Sequence, residues 1–226
     1  MKKALNIILI VIIVGVSLIG INTVFKKTNK ALDNAVVSRH TVVIDAGHGG
    51  KDAGTLGVDN TQEKDINLAI ALKLYDYLRV SGINSVLIRN SDIELYPEGS
   101  DRNKSDLYNR LDYVNSITDS YLISIHQNHF EDEKEKGTQI WYSDSEEAKA
   151  LADSILANIK HFIQPDNKRQ NKLTDSNYYI LYKASVPSIM IECGFMSNNQ
   201  ENESLKKEEY QKDLSFLILT GICEDV

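Results

Sequence analysis

Hydrophobic and polar positions fall along this chain in blocks of two kinds. Short apolar, β-branched runs occur at Thr41–Asp45, Ser85–Ile88, Tyr121–Ile125, Thr138–Tyr142 and Ser188–Glu192, the last set up by Pro187. Such runs read as strands buried in a sheet. Between them lie segments with a helical period. Ile66, Ile70, Leu74 and Leu78 recur every four positions between Glu63 and Val80, and Gly82 stops the run. Leu107, Leu111, Val114 and Ile117 mark a second helix, Ala148, Leu151, Ile155, Ile159 and Phe162 a third, and Tyr210–Ile222 a closing one. Strands alternating with helices predict an α/β fold. It is a single domain with a twisted, mostly parallel central sheet of about six strands and helices on both faces.

The first 25 residues break this pattern. Lys2 and Lys3 precede an apolar stretch from about Ala4 to Phe25, close to the ~20 residues that span a bilayer. The stretch is longer than the apolar core of a secretory signal, and no Ala-x-Ala follows it. Residues 1–25 therefore read as an uncleaved signal anchor, residues 26–40 as a polar linker, and residues 41–226 as the folded domain, outside the cytoplasm. Residues 1–40 hold five Lys, one Arg and one Asp, a charge of +5; the whole chain carries −7, which leaves −12 on residues 41–226. An acidic domain repels nucleic acid, so no nucleic-acid partner is expected. Membrane contact falls to the anchor. Two cysteines without close spacing exclude a CxxC redox or zinc-ribbon site, and both are expected as buried free thiols.

Candidate chemistry concentrates where strands end. In open α/β sheets, sites form at the carboxyl ends of strands, and His48, His126 and Glu192 all fall there. The run VVIDAGHGGKDAGTLG (42–57) admits three readings: a phosphate cradle, a metal site or a plain strand exit. Phosphate fits poorly, because Gly50-Lys51 is followed by Asp52 rather than Ser or Thr, and Asp45 and Asp52 repel an anion. Nucleophilic hydrolysis lacks a G-x-S-x-G elbow, and Cys193 follows a glutamate in an apolar strand. The metal reading is the best supplied. Catalytic zinc takes three protein ligands, often two His and a carboxylate, and keeps one position for water. His48 and His126 lie on different strands. Glu63 opens the helix after the glycine loop and so points back over the same sheet edge, while the glycines let the backbone turn sharply. His40 and His161 read as bystanders.

Six segments carry a resemblance. IDAGHGGKDAGTLG, EKDINLAIALKLYDYL, NRLDYVN, LISIHQN, VPSIMIECGFMSN and YQKDLSFLILTGI occur in this order over residues 41–223. The chain resembles the zinc-dependent N-acetylmuramoyl-L-alanine amidases, amidase type 3, which hydrolyse bacterial peptidoglycan. The resemblance implies one Zn2+ held by His48, Glu63 and His126, with Glu192 as the catalytic carboxylate. Glu192 would take a proton from zinc-activated water and pass it to the departing amine of L-alanine. Further matched positions carry open roles. Asp45 either orients a ligand histidine or caps the loop. Asn128 touches substrate or fixes its loop, and Arg110 sits on a helix where a salt bridge is the plainer role. His129 departs from the small residue usual in the family; it reaches substrate or a fourth metal position, or simply faces solvent. A small anchored catalytic domain resembles the amidases of sporulation, which strip peptides so that muramic-δ-lactam forms in the spore cortex. With no regulatory insertion, control is expected from timing of expression or from a separate protein partner. The other readings are a different zinc-dependent wall hydrolase, such as a peptidase or deacetylase, or a non-catalytic wall-binding relic.

Overall fold

A computed structural model describes residues 40–95 and 106–225. The expected anchor, and the expected linker apart from His40, lie outside the described residues. Six strands form one sheet: β1 (Thr41–Ala46), β2 (Ser85–Leu87), β3 (Ser120–Asn128), β4 (Gln139–Tyr142), β5 (Lys172–Leu173) and β6 (Ser188–Phe195). Their order across the sheet is β2–β1–β3–β6–β4–β5. The first four of these pair in parallel, β4 runs antiparallel to β6, and β5 lies parallel to β4. Among the described residues six helices accompany them: α1 (Glu63–Val80), α2 (Asp106–Asn115), α3 (Glu146–Phe162), α4 (Tyr179–Lys183), α5 (Asn199–Leu205) and α6 (Glu208–Asp225).

The two-residue alternation of the strands divides the core into two layers. Val42, Ile44, Ile123, Ile125, Ile189 and Ile191 face the layer built with α1, α3 and α6, where Ile70, Leu74, Ile155 and Ile218 are fully buried. Val43, Leu122 and Met190 face the other way, onto Leu111 and Val114 of α2 and Ile180 and Leu181 of α4. Because both faces of β1, β3 and β6 are covered, these strands read as continuous apolar runs rather than alternating ones. Helix α3 starts where the Ser145 side chain accepts from the Ala148 amide, and α5 starts where Asn198 accepts from the Gln200 and Glu201 amides.

One irregularity matters for the site. On β3 and β6, His126 pairs with Glu192 but Asn128 pairs with Phe195. Three steps on β6 thus match two on β3, which is a β-bulge with one extra residue.

Several details differ from the sequence expectation. Strand β3 runs through to Asn128, so His126 lies inside the strand rather than just past its end. Strand β5 and helices α4 and α5 were not expected. Cys193 is buried as expected, but Cys223 is exposed, because it occupies the outer side of α6 near its end; both thiols are free. Among the described residues no helix is long and apolar enough to cross a membrane.

Candidate metal centre and active site

Strand β1 ends at Ala46, and the chain then turns at Gly47–Gly50. His48 sits in the left-handed region at φ 61, between glycines. A non-glycine residue there costs on the order of 1–3 kcal/mol and persists only where its surroundings hold it. Here two buried guanidinium groups do so. Arg89 donates to the carbonyls of Ala46 (2.7 Å) and Gly47 (3.1 Å). Arg110 donates to the carbonyls of Ala46 (2.8 Å) and His48. Asn67 adds a hydrogen bond to the Gly47 carbonyl at 3.1 Å. The turn is pinned from three elements, and its imidazole is thrown back toward β3.

There it meets two partners. His48 Nε2 lies 3.3 Å from Glu63 Oε2, and His126 Nδ1 lies 3.0 Å from Glu63 Oε1. The three donor atoms all lie within 4.8 Å of one another. Around a tetrahedral ion with bonds of about 2.1 Å, donor atoms stand about 3.4 Å apart, so this spacing fits one small cation. The second nitrogen of His48, Nδ1, meets Asp52 Oδ2 at 2.7 Å, which fixes the ring and leaves Nε2 as the donor. Glu63 is held by the amides of Thr55 (2.9 Å) and Gln127 (3.0 Å). Two glycines make room for this packing. A Cβ on Gly47 would fall 2.2 Å from the His126 ring, and one on Gly54 would fall 2.5 Å from Glu63 Oε2.

The electrostatics agree with a cation. Burial works to lower the His48 pKa, but hydrogen bonds and charge from Glu63 and Asp52 outweigh it and hold the imidazole up at about 9. Burial also works to raise the Glu63 carboxyl, yet the His126 and His48 contacts keep it far below the usual carboxylate range. The field at this spot favours positive charge, and a divalent ion satisfies the same field.

Glu192 stands beside His126 in strand register. Both line a cleft of about 510 Å³ with His48, Asp52, Tyr178 and Met190. Its Oε2 atom is sequestered and has no hydrogen-bond partner, a situation that costs a carboxylate at least ~1–3 kcal/mol unless a ligand completes it. Burial pushes its pKa up to about 7. A carboxyl poised there can both take and give a proton near neutrality.

The structure therefore brings together His48, Glu63, His126 and Glu192. The weaker candidates resolve differently. Among the described residues the Asp45 carboxylate makes no hydrogen bond or ion pair to a ligand histidine. It accepts from Arg110 at 2.6 Å and from the Ser124 hydroxyl at 2.7 Å, and that pairing with Arg110 keeps its carboxyl low against the opposing effect of burial. Arg110 has more than a helix salt bridge, since it clamps the His48 turn while pairing with Asp45 and Asp106. Asn128 lies along a neighbouring hollow; its side chain accepts from the His129 amide, and its carbonyl from the Met196 amide. His129 is exposed in the loop beyond β3. Sequence reasoning missed Asp52 as the partner of His48, and Arg89. Asp52 was legible only as the second carboxylate of the glycine-rich run, four residues from His48.

A cleft that sets a carboxylate beside a cluster of metal-type donor atoms has the parts a hydrolase needs to act on an amide without a nucleophilic side chain. The family profile of the N-acetylmuramoyl-L-alanine amidases, amidase type 3, matches residues 42–224, and the chain belongs to that family. It is accordingly an amidase that acts on peptidoglycan. The germination-specific N-acetylmuramoyl-L-alanine amidase of Bacillus subtilis (strain 168) is 31% identical over 191 residues, covering 82% of this chain and 79% of the relative. The CwlD amidase of Clostridioides difficile, solved in complex with the GerS lipoprotein, is 38% identical with a TM-score of 0.76, covering 82% of this chain and 97% of that one. The amidase AmiC2 of Nostoc punctiforme is 30% identical with a TM-score of 0.71, covering 82% and 96%.

Proposed function

We propose that the protein is a zinc-dependent amidase that cleaves the bond between the lactyl group of N-acetylmuramic acid and L-alanine of the stem peptide. One observation carries this reading: the free Oε2 of Glu192 lies in the same cleft as the His48–Glu63–His126 donor cluster. When bound, zinc supplies Lewis acidity toward the carbonyl oxygen and toward water, whose pKa it lowers to about 7. Glu192 Oε2 takes the proton of the attacking water as the new C–O bond forms. It returns that proton to the L-alanine nitrogen as the C–N bond breaks, so the peptide leaves as a free amine and the lactyl group as a carboxylic acid, which ionises to solvent. Arg89 and Arg110 hold the His48 turn, and Asp52 holds its ring.

The relatives and the sequence support a setting for this reaction. The apolar stretch over residues 1–25 holds the enzyme at the outer face of the membrane, where peptidoglycan lies. The germination-specific relative and the CwlD relative support a role in making the spore cortex. That CwlD was solved with a lipoprotein supports control by a separate protein partner. Mass spectrometry of digested peptidoglycan tests the reaction. Whole stem peptides with a free L-alanine amine are the expected product; deacetylated sugars or peptides cut internally would rule the reading out.

The Asp52 contact has its own consequence. Asp52→Ala is expected to weaken zinc binding by about 10–100-fold, the usual cost of losing a carboxylate behind a ligand histidine. Competition with a coloured chelator measures it. An unchanged affinity would show that the ring is held by other contacts.

A further inference from the structure

The cleft around Glu192 continues past β6. A second hollow, of about 420 Å³, adjoins it, and Tyr178 lines both. Strand register shows what faces this hollow. On β4, Gln139 lies opposite Glu192 and Trp141 opposite Met190; on β5, Lys172 lies opposite Trp141. Paired residues share one face of a sheet, so Trp141 and Lys172 project to the same side as Glu192. With strands about 4.8 Å apart, Lys172 stands about 10 Å from β6 across the sheet. An extended peptide covers that distance in about three residues.

The chemistry of this hollow differs from that of the domain around it. Residues 41–226 carry a net −12, counted from the sequence, yet here two cations sit among aromatic rings. Arg169 lies 4.2 Å over the Phe195 ring and is paired with Glu135, so its charge is compensated. Lys172 is exposed, and its ammonium lies 5.0 Å from the Trp141 ring; among the described residues it has no carboxylate partner. Tyr178 packs on the indole at 4.3 Å between ring centres. The indole is thus engaged by the protein itself rather than laid open as a platform for a sugar. What the hollow offers is a cation without an anion.

We infer that this hollow is a subsite for the stem peptide, in which Lys172 pairs with a free carboxylate on its second or third residue. Trp141 and Tyr178 form the floor along which that peptide runs. The inference rests on the amidase reading of the main site, which makes the stem peptide the group that departs. The chemistry of the substrate separates its two arms. N-acetylmuramic acid has one carboxyl group, and it is tied up in the scissile amide. The stem peptide carries free carboxylates on its acidic residue and at its end.

Trp141 is the only tryptophan among the 226 residues, so its emission reports on this hollow alone. The test titrates the full chain with L-alanyl-γ-D-glutamyl-L-lysine, and in parallel with the same peptide amidated at both carboxyl groups. The expected result is a saturable change in emission, with affinity for the free-acid peptide about fivefold higher, as a solvent-facing ion pair gives. Lys172→Ala abolishes that preference and Lys172→Arg keeps it. No saturable change, equal affinity for the two peptides, or a preference that survives in Lys172→Ala overturns the subsite. A cleavage assay on the same preparation keeps the two readings apart. Normal release of stem peptides with a failed titration overturns the subsite alone. Binding with the expected preference but no release, from zinc-loaded protein, counts against the proposed unaided cleavage and leaves the carboxylate subsite standing.

Discussion

Glu192→Gln is expected to lower kcat by about 10²–10⁴-fold, the range for loss of a general base, while zinc content stays at the wild-type level. The substitution keeps size and shape, and removes only the ability to hold a proton. The carboxylate lies beside His126 in strand register but is not one of the three clustered donors. Its Oε2 has no hydrogen-bond partner, so the substitution breaks no hydrogen bond at that atom. Rate measurements on purified peptidoglycan, with metal analysis of the same sample, check both halves of the expectation. If Glu192→Gln turns over at the wild-type rate, the base lies elsewhere in the cleft.

His126→Ala is expected to do the opposite to the metal and the same to the rate: zinc is lost, and activity with it. The loss should exceed the ~10–100-fold expected for Asp52→Ala, because a donor is removed rather than its support. The imidazole is also one of two contacts by which β3 reaches Glu63, beside the Gln127 amide, and its removal leaves the glutamate with His48 as its imidazole partner. Zinc content after dialysis and a circular dichroism spectrum settle the matter together. Full zinc occupancy in a folded His126→Ala protein would remove His126 from the ligand set.

The parts of this protein that were legible in the sequence are those encoded by local pattern. The strands over β1, β3 and β6 show as apolar runs because both of their faces are buried. His48, His126 and Glu192 could be grouped because each follows such a run, and Glu63 because a helix period begins at it. What was not legible depends on pairings between distant positions. Strand β5 is two residues long, and both are exposed, so it carries no hydrophobic signal. Asp45 finds Arg110 at 65 residues' separation and Ser124 at 79; nothing near Asp45 in the chain announces either. Arg89 follows a short strand and looks like a surface residue, yet it is buried and donates to four carbonyls. A guanidinium that donates to backbone oxygens leaves no side-chain partner in the sequence to mark where it goes.

The extra residue in β6 has a consequence in parity. Strand side chains alternate sides with every step, so residues an odd number apart normally face opposite ways. Glu192 and Phe195 are three apart, yet they pair with His126 and Asn128, which are two apart. The inserted step resets the count and turns Phe195 onto the side that Glu192 faces. The Arg169 guanidinium over the Phe195 ring thereby comes to the cleft side of the sheet rather than the α1–α3–α6 side. A β6 of the same length paired without the bulge would keep its glutamate and its histidines, but would set Gly194 opposite Asn128 and turn Phe195 to the α1–α3–α6 side, away from the neighbouring hollow.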